Sequence, residues 1–262
     1  MKNIAKTTAA CVALLMIAGC SKTPASTPAQ STSAASSVAE TPQVSTSVAA
    51  SDEVLVMSHD EYVAAAVDTN VVIEAYVQGK QSWWDNTANV YAQDEDGGYF
   101  LYELPCSEDD YAKLEDGTKI RVNGYKAEWS GEIEIIDATY EIIDGNKVFD
   151  AVDVTDLLGT DELIDHQNEK VAFKGMTVEK NDKGEAFMYN WDGSGERGND
   201  LYFNVSLNGE TYSFTVESYL CNQDSDVYKA VEALQGGETV DLEGFLYWYE
   251  GPNPHITSLT VK

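Results

Sequence analysis

Positive charge is what this chain lacks. Of its 262 residues only two are arginine, Arg121 and Arg197. Lysine and arginine together number 16 against 45 aspartates and glutamates, for a formal net charge of −29. A nucleic-acid binder needs clustered cations to displace counterions from phosphates. The composition therefore predicts no nucleic-acid partner, and no attraction to an anionic lipid surface beyond a covalent anchor. Histidine is nearly as scarce: His59, His166 and His255. None stands beside a serine or cysteine in a nucleophile motif. No glycine-rich loop follows a strand and opens a helix, as phosphate cradling requires. Carboxylates are so frequent that a glycosidase-like pair has no signature of its own. These absences predict a non-catalytic protein without a cofactor. Cations, neutral sugars, peptides and basic proteins remain as partners.

Long apolar runs are missing too. The longest opens the chain, from Ala9 to Ala18 behind Lys2 and Lys6. It is shorter than the roughly 20 residues that span a bilayer. It ends in Ile17-Ala18-Gly19-Cys20. This pattern resembles the lipobox of bacterial lipoproteins. The resemblance implies that residues 1–19 are a signal peptide, that Cys20 carries a diacylglyceryl group, and that the chain is held on the extracytoplasmic face of the cell membrane. With Cys20 acylated, Cys106 and Cys221 are left in an oxidising compartment. They either pair or stay as two buried free thiols.

Residues 20–52 are almost wholly Ser, Thr, Ala, Pro, Val and Gln, with no apolar period. Such a segment cannot bury enough surface to offset its ordering entropy, which predicts a disordered stalk with a reach of about 30 Å.

Two similar halves follow, at 53–150 and 151–262. Ser58-His59-Asp60-Glu61 fits a capping box opening a short helix. Strands are predicted at Val71–Gln78, Ala88–Gln93, Tyr99–Leu104, Thr118–Lys126 and Glu132–Ile143, with a helix over Ser107–Leu114. The order recurs. Asp161-Glu162 opens a short helix, and strands are predicted at Lys170–Glu179, Asp200–Leu207, Glu210–Glu217, Glu238–Tyr249 and His255–Lys262, with a helix over Ser225–Leu234. Asp96-Gly97-Gly98 and Asn208-Gly209 are hairpin turns. Gly117, Gly124 and Gly131 in the first half match Gly237, Gly244 and Gly251 in the second, both sets spaced by seven.

Five strands with a helix between the third and fourth is the OB-fold order. The segment Leu114 to Ile135 resembles the fourth and fifth strands of the anticodon-binding-like OB superfamily: a Leu-x-x-Gly run, Val122-Asn123-Gly124, then a Gly131-Glu132 hairpin. The whole chain is similar to uncharacterised OB-fold lipoproteins of gut-dwelling Gram-positive bacteria, a family that implies a location and a fold but no chemistry. The expected fold class is mainly β: two tandem five-stranded OB-like barrels with short helices, after the stalk.

Aromatics supply the candidate site: Tyr76 and Tyr91 on one face of the first sheet, Trp83 and Trp84 in the first loop, Trp191 in its counterpart, and Trp129 and Trp248 in the last hairpins. Exposed rings flanked by acids suit stacking on sugar rings or a hydrophobic partner patch, while buried ones plug barrel ends. The loop from Asp192 to Asp200 offers hard oxygen ligands, Asp192, Glu196 and Asp200, for calcium. The expected function is non-catalytic binding of a glycan, a peptide or an envelope protein. The alternatives are a structural or accessory subunit of an envelope complex without a small-molecule site, and a calcium-dependent adhesion module.

Overall fold

The computed structural model describes residues 55–262, which begin just before a capped helix. The Glu61 N–H donates to Ser58 Oγ, and the Ser58 N–H donates to Glu61 Oε2 at 2.9 Å. This capping box opens α1 (His59–Ala64). Lys126 closes it from below, donating from Nζ to the carbonyls of Tyr62, Val63 and Ala65 at 3.0, 2.7 and 2.8 Å. An ammonium is favoured at helix C-terminal carbonyls, while burial pulls its pKa down.

The first barrel follows: β1 (Asn70–Lys80), β2 (Thr87–Gln93), β3 (Gly98–Pro105), α2 (Glu108–Tyr111), β4 (Thr118–Trp129) and β5 (Glu132–Asn146). The period of two is plain in β1, where Val71, Ile73, Ala75 and Val77 are buried. The strands close in the order β1-β2-β3-β5-β4 and back to β1. All pairs are antiparallel except β3–β5.

The second barrel comprises β6 (Val152–Asp153), β7 (Lys170–Glu179), β8 (Met188–Tyr189), β9 (Leu201–Leu207), β10 (Glu210–Val216), α3 (Asp226–Glu232), β11 (Thr239–Phe245) and β12 (His255–Val261). It closes by the same circuit, β7-β9-β10-β12-β11 and back to β7, and its one parallel closure, β10–β12, is again between third and fifth members. The short strands β6 and β8 are added at β7 and β9. Both halves thus carry the OB-fold strand order. Three helices depart from the spacing. The segment opened by Asp161 is a 3-10 turn, Asp161–His166, without a side-chain cap, α2 has four residues instead of eight, and α3 has seven residues instead of ten.

Each barrel has its own apolar core. A third cluster lies between them, where Tyr91 and Phe100 from the first barrel meet Phe245 of the second, flanked by Leu220 and Tyr247. Tyr91 Oη and His255 Nδ1 are 2.9 Å apart, both buried. Burial lowers the His255 pKa to about 3, so the ring there is neutral. Gly98 marks the tightest approach. A Cβ there would sit 2.2 Å from the Asn168 carbonyl carbon. Polar groups cross the seam as well: the Lys170 N–H donates to Gln93 Oε1 at 3.0 Å, and Asn168 Nδ2 donates to the Ile133 carbonyl at 3.0 Å.

Candidate ligand-binding surfaces

Adjacent Trp83 and Trp84 part company at a tight turn. Asp85 and Asn86 both have positive φ, 46° and 65°, as the type I′ hairpin requires. Trp84 and Thr87 exchange backbone bonds of 3.0 and 2.9 Å across it. Trp83 turns inward, packs on the first core and donates from Nε1 to the Cys106 carbonyl at 3.0 Å. Trp84 turns out and is 75% exposed.

Trp84 forms one wall of a slot of about 200 Å³, with Gln81, Ser82, Asn89, Tyr102, Glu103 and Tyr219 among the other lining residues. Tyr219 comes from the second barrel, and its carbonyl accepts from the Ser82 N–H at 2.7 Å and from Ser82 Oγ at 3.0 Å. The floor is pre-ordered: Asn89 Nδ2 donates to Gln81 Oε1 at 2.7 Å, and Asn89 Oδ1 accepts from the Glu103 N–H at 2.7 Å. Three exposed rings beside amides, a hydroxyl and a carboxylate suit a flat, neutral, polyhydroxylated ligand. Sequence reasoning found Trp84 but missed Tyr102 and Tyr219. A run of four apolar and aromatic residues from Tyr99 to Tyr102 hinted that β3 is covered on both faces. No local signal could place Tyr219, which arrives from the other barrel.

The two β-hairpins matched by their glycines form a second aromatic surface. Trp129 precedes a turn at Ser130 and Gly131 (φ 53° and 92°) and lies 5.2 Å from the ring of Tyr249. The Glu250 N–H donates to the Ser130 carbonyl at 2.7 Å. Trp248 is half-buried against Gly131. Beneath them Glu132 is fully buried; its Oε2 accepts from the Trp248 N–H at 2.8 Å, while Oε1 has no partner among the described residues. Burial raises its pKa to about 8, against the hydrogen bonds that lower it.

Other expectations are corrected. Tyr91 is not on a ligand face but fully buried in the seam, because β2 is covered inside by its own core and outside by the second barrel. Tyr76 is half-buried on the outer wall, edge-on to Phe149 at 6.1 Å and away from the slot. Trp191 is 74% exposed and outside the slot. Its loop gathers no calcium ligands: Asp192 Oδ1 accepts from the Ser194 N–H, and Asp200 Oδ1 accepts from Ser218 N–H and Oγ. Glu196 joins neither carboxylate in a metal-binding group, and no such group exists among the described residues. Arg197, itself within the loop, donates from Nε to Glu232 Oε1 outside it at 3.0 Å. Cys106 and Cys221 are free, one in each barrel, and burial raises both thiol pKa values, that of Cys221 to about 11. Cys20 lies outside the described residues.

No family model matches the chain, and no curated protein matches it. Several solved structures are similar. A HIN domain of p202 in complex with 12-mer double-stranded DNA is 11% identical, with 76% of this chain and 94% of that chain covered and a TM-score of 0.35. A murine DNA-binding protein bound to double-stranded DNA is 10% identical over 73% and 97%, with a TM-score of 0.32. Asparaginyl-tRNA synthetase from Pyrococcus horikoshii is 13% identical, over 36% of this chain and 19% of that one, with a TM-score of 0.26. The exclusion of nucleic acid read from composition is withdrawn. Its physical flaw is that net charge is a sum over the whole chain, whereas recognition depends on the field at one surface.

Proposed function

We propose that this chain is a membrane-anchored, extracytoplasmic, non-catalytic binding protein whose slot at Trp84, Tyr102 and Tyr219 takes a glycan. The observation that carries this reading is the slot itself: three exposed rings around a pre-ordered amide floor, at the junction of two barrels. The histidines have structural partners, which supports a binding role over a catalytic one. His59 Nε2 lies 3.3 Å from the Gly98 carbonyl oxygen, His166 Nδ1 is 3.0 Å from Glu169 Oε2, and His255 meets Tyr91. The anchoring half of the proposal rests on the lipobox-like Ile17-Ala18-Gly19-Cys20. Cys20→Ala should release the protein into the medium or leave it unprocessed. A glycan array probed with the full chain and with Trp84→Ala tests the slot. Hits lost in the variant support it, and hits that survive the substitution refute it. The exposed Trp129–Tyr249 pair favours a second reading, an accessory subunit that docks another envelope protein. An empty array together with a specific partner captured from solubilised envelope would select that reading.

A further inference from the structure

The two barrels differ where an OB-fold most needs filling. In each, the parallel pair that closes the ring is short: Phe100↔Glu134 and Leu101↔Ile135 in the first, Thr215↔His255 in the second. Beyond it the third and fifth strands diverge, and the intervening helix must cover the gap. In the second barrel α3 does so. It buries Val227, Tyr228 and Val231 and packs along β12. In the first barrel α2 is four residues long and buries none of them. An open cleft of about 720 Å³ remains between the Pro105–Asp110 stretch and β5.

The wall of that cleft is a strand with one edge unpaired. At Asp137 (φ 48°) β5 carries the extra residue of a bulge, since Asn123 pairs with Thr139 but Tyr125 with Ile136. Past this point β5 pairs with β4 alone. Its inward positions lose their cover in turn: Ala138 is buried, Tyr140 half-buried and Ile142 45% exposed. An apolar side chain that faces inward yet meets water lacks a neighbour, not a core. The edge from Ala138 to Ile142 is about five residues, or roughly 17 Å, long enough for one added strand.

We propose that this edge takes an extended basic peptide segment of a partner protein as an additional β-strand, with its alternate apolar side chains on Tyr140 and Ile142. Charge selects that occupant. Asp110 lines the cleft and is paired with Lys113 at 2.7 Å, while Glu108 and Asp109, exposed beside it in the same turn, have no ion pair among the described residues. A second copy would bring the same acids and a net charge of −29 against themselves.

The test uses the full chain and an end-capped heptapeptide of alternating lysine and valine, titrated by calorimetry. Saturable one-to-one binding is expected, weakened by at least about tenfold in Ile142→Lys and when the central valine of the peptide is proline. Amide exchange should slow at Ala138–Ile142 when peptide is added, a readout independent of any variant's stability. Three results overturn the proposal: no saturable binding, equal binding by the proline peptide and to Ile142→Lys, or a dimer of this chain that the peptide dissociates. The second marks diffuse attraction to an acidic surface, and the third gives the edge to another copy.

Discussion

Tyr91 and Phe245 lie face to face across the seam, their ring centroids 4.3 Å apart and their planes within 3°. One ring belongs to β2 and the other to β11, so the stack joins the barrels through side chains far apart in sequence. Each is nearly fully buried.

Phe245→Ala should therefore cost about 3–5 kcal/mol, the usual penalty for emptying a buried aromatic position. It should also uncouple the halves. Calorimetry is expected to show one transition for the native chain and two for the variant. A single transition merely shifted downward would mean that the hydrogen bonds across the seam suffice to couple them.

Gly98→Ala probes the same seam from its backbone. The added methyl would meet the Asn168 carbonyl carbon at 2.2 Å and the Glu169 nitrogen at 2.4 Å, neither of which can rotate away. A loss of about 1–3 kcal/mol is expected, visible as a lower urea midpoint.

Trp83 and Trp84 form an internal control. Trp84→Ala should leave the urea midpoint almost unchanged and weaken glycan binding by about 1–3 kcal/mol, if stacking there resembles that on other OB surfaces. Trp83→Ala should lower the midpoint through lost packing and the lost bond to the Cys106 carbonyl. Reversed effects would show that the wrong ring has been assigned to the ligand.

Stability should fall as pH rises from about 5 to 8. Burial holds Glu132 protonated up to about 8 and Glu217 up to about 7, whereas both ionise near the ordinary carboxylate value when unfolded. In that window the folded chain binds more protons, so the slope of stability against pH is negative. His255, depressed to about 3, acts oppositely and only below its ordinary value of 6.5. Glu132→Gln should flatten the decline, read as melting temperature at pH 5 and pH 8. A variant as pH-sensitive as the native chain would place the effect elsewhere.

Both barrels were legible because their demands are local and repeated. Alternation marks β1, and Gly124 and Gly244 sit where strands cross too closely for a side chain: a Cβ would meet the Ile136 oxygen at 2.8 Å or the His255 oxygen at 2.2 Å. The seam was illegible for the opposite reason. An aromatic on the outer face of β2 reads the same whether water, a ligand or a second barrel covers it. The acidic loop after Trp191 misled in the same way, because Arg197 reaches Glu232 by folding and not by sequence proximity. In the slot, Trp84 was visible from its turn, but the ring opposite it belongs to the other repeat.

The stack at Tyr91 also sets a condition on how the chain is born. Synthesis delivers the first barrel with Tyr91 and Phe100 uncovered, and their lid, Phe245, lies in the next-to-last strand. About 100 residues separate the end of β5 from Phe245, so at 5–20 residues per second that interval lasts roughly 5–20 s. For that time the nascent molecule carries an oily patch, which makes the emerging first half a natural client for chaperones.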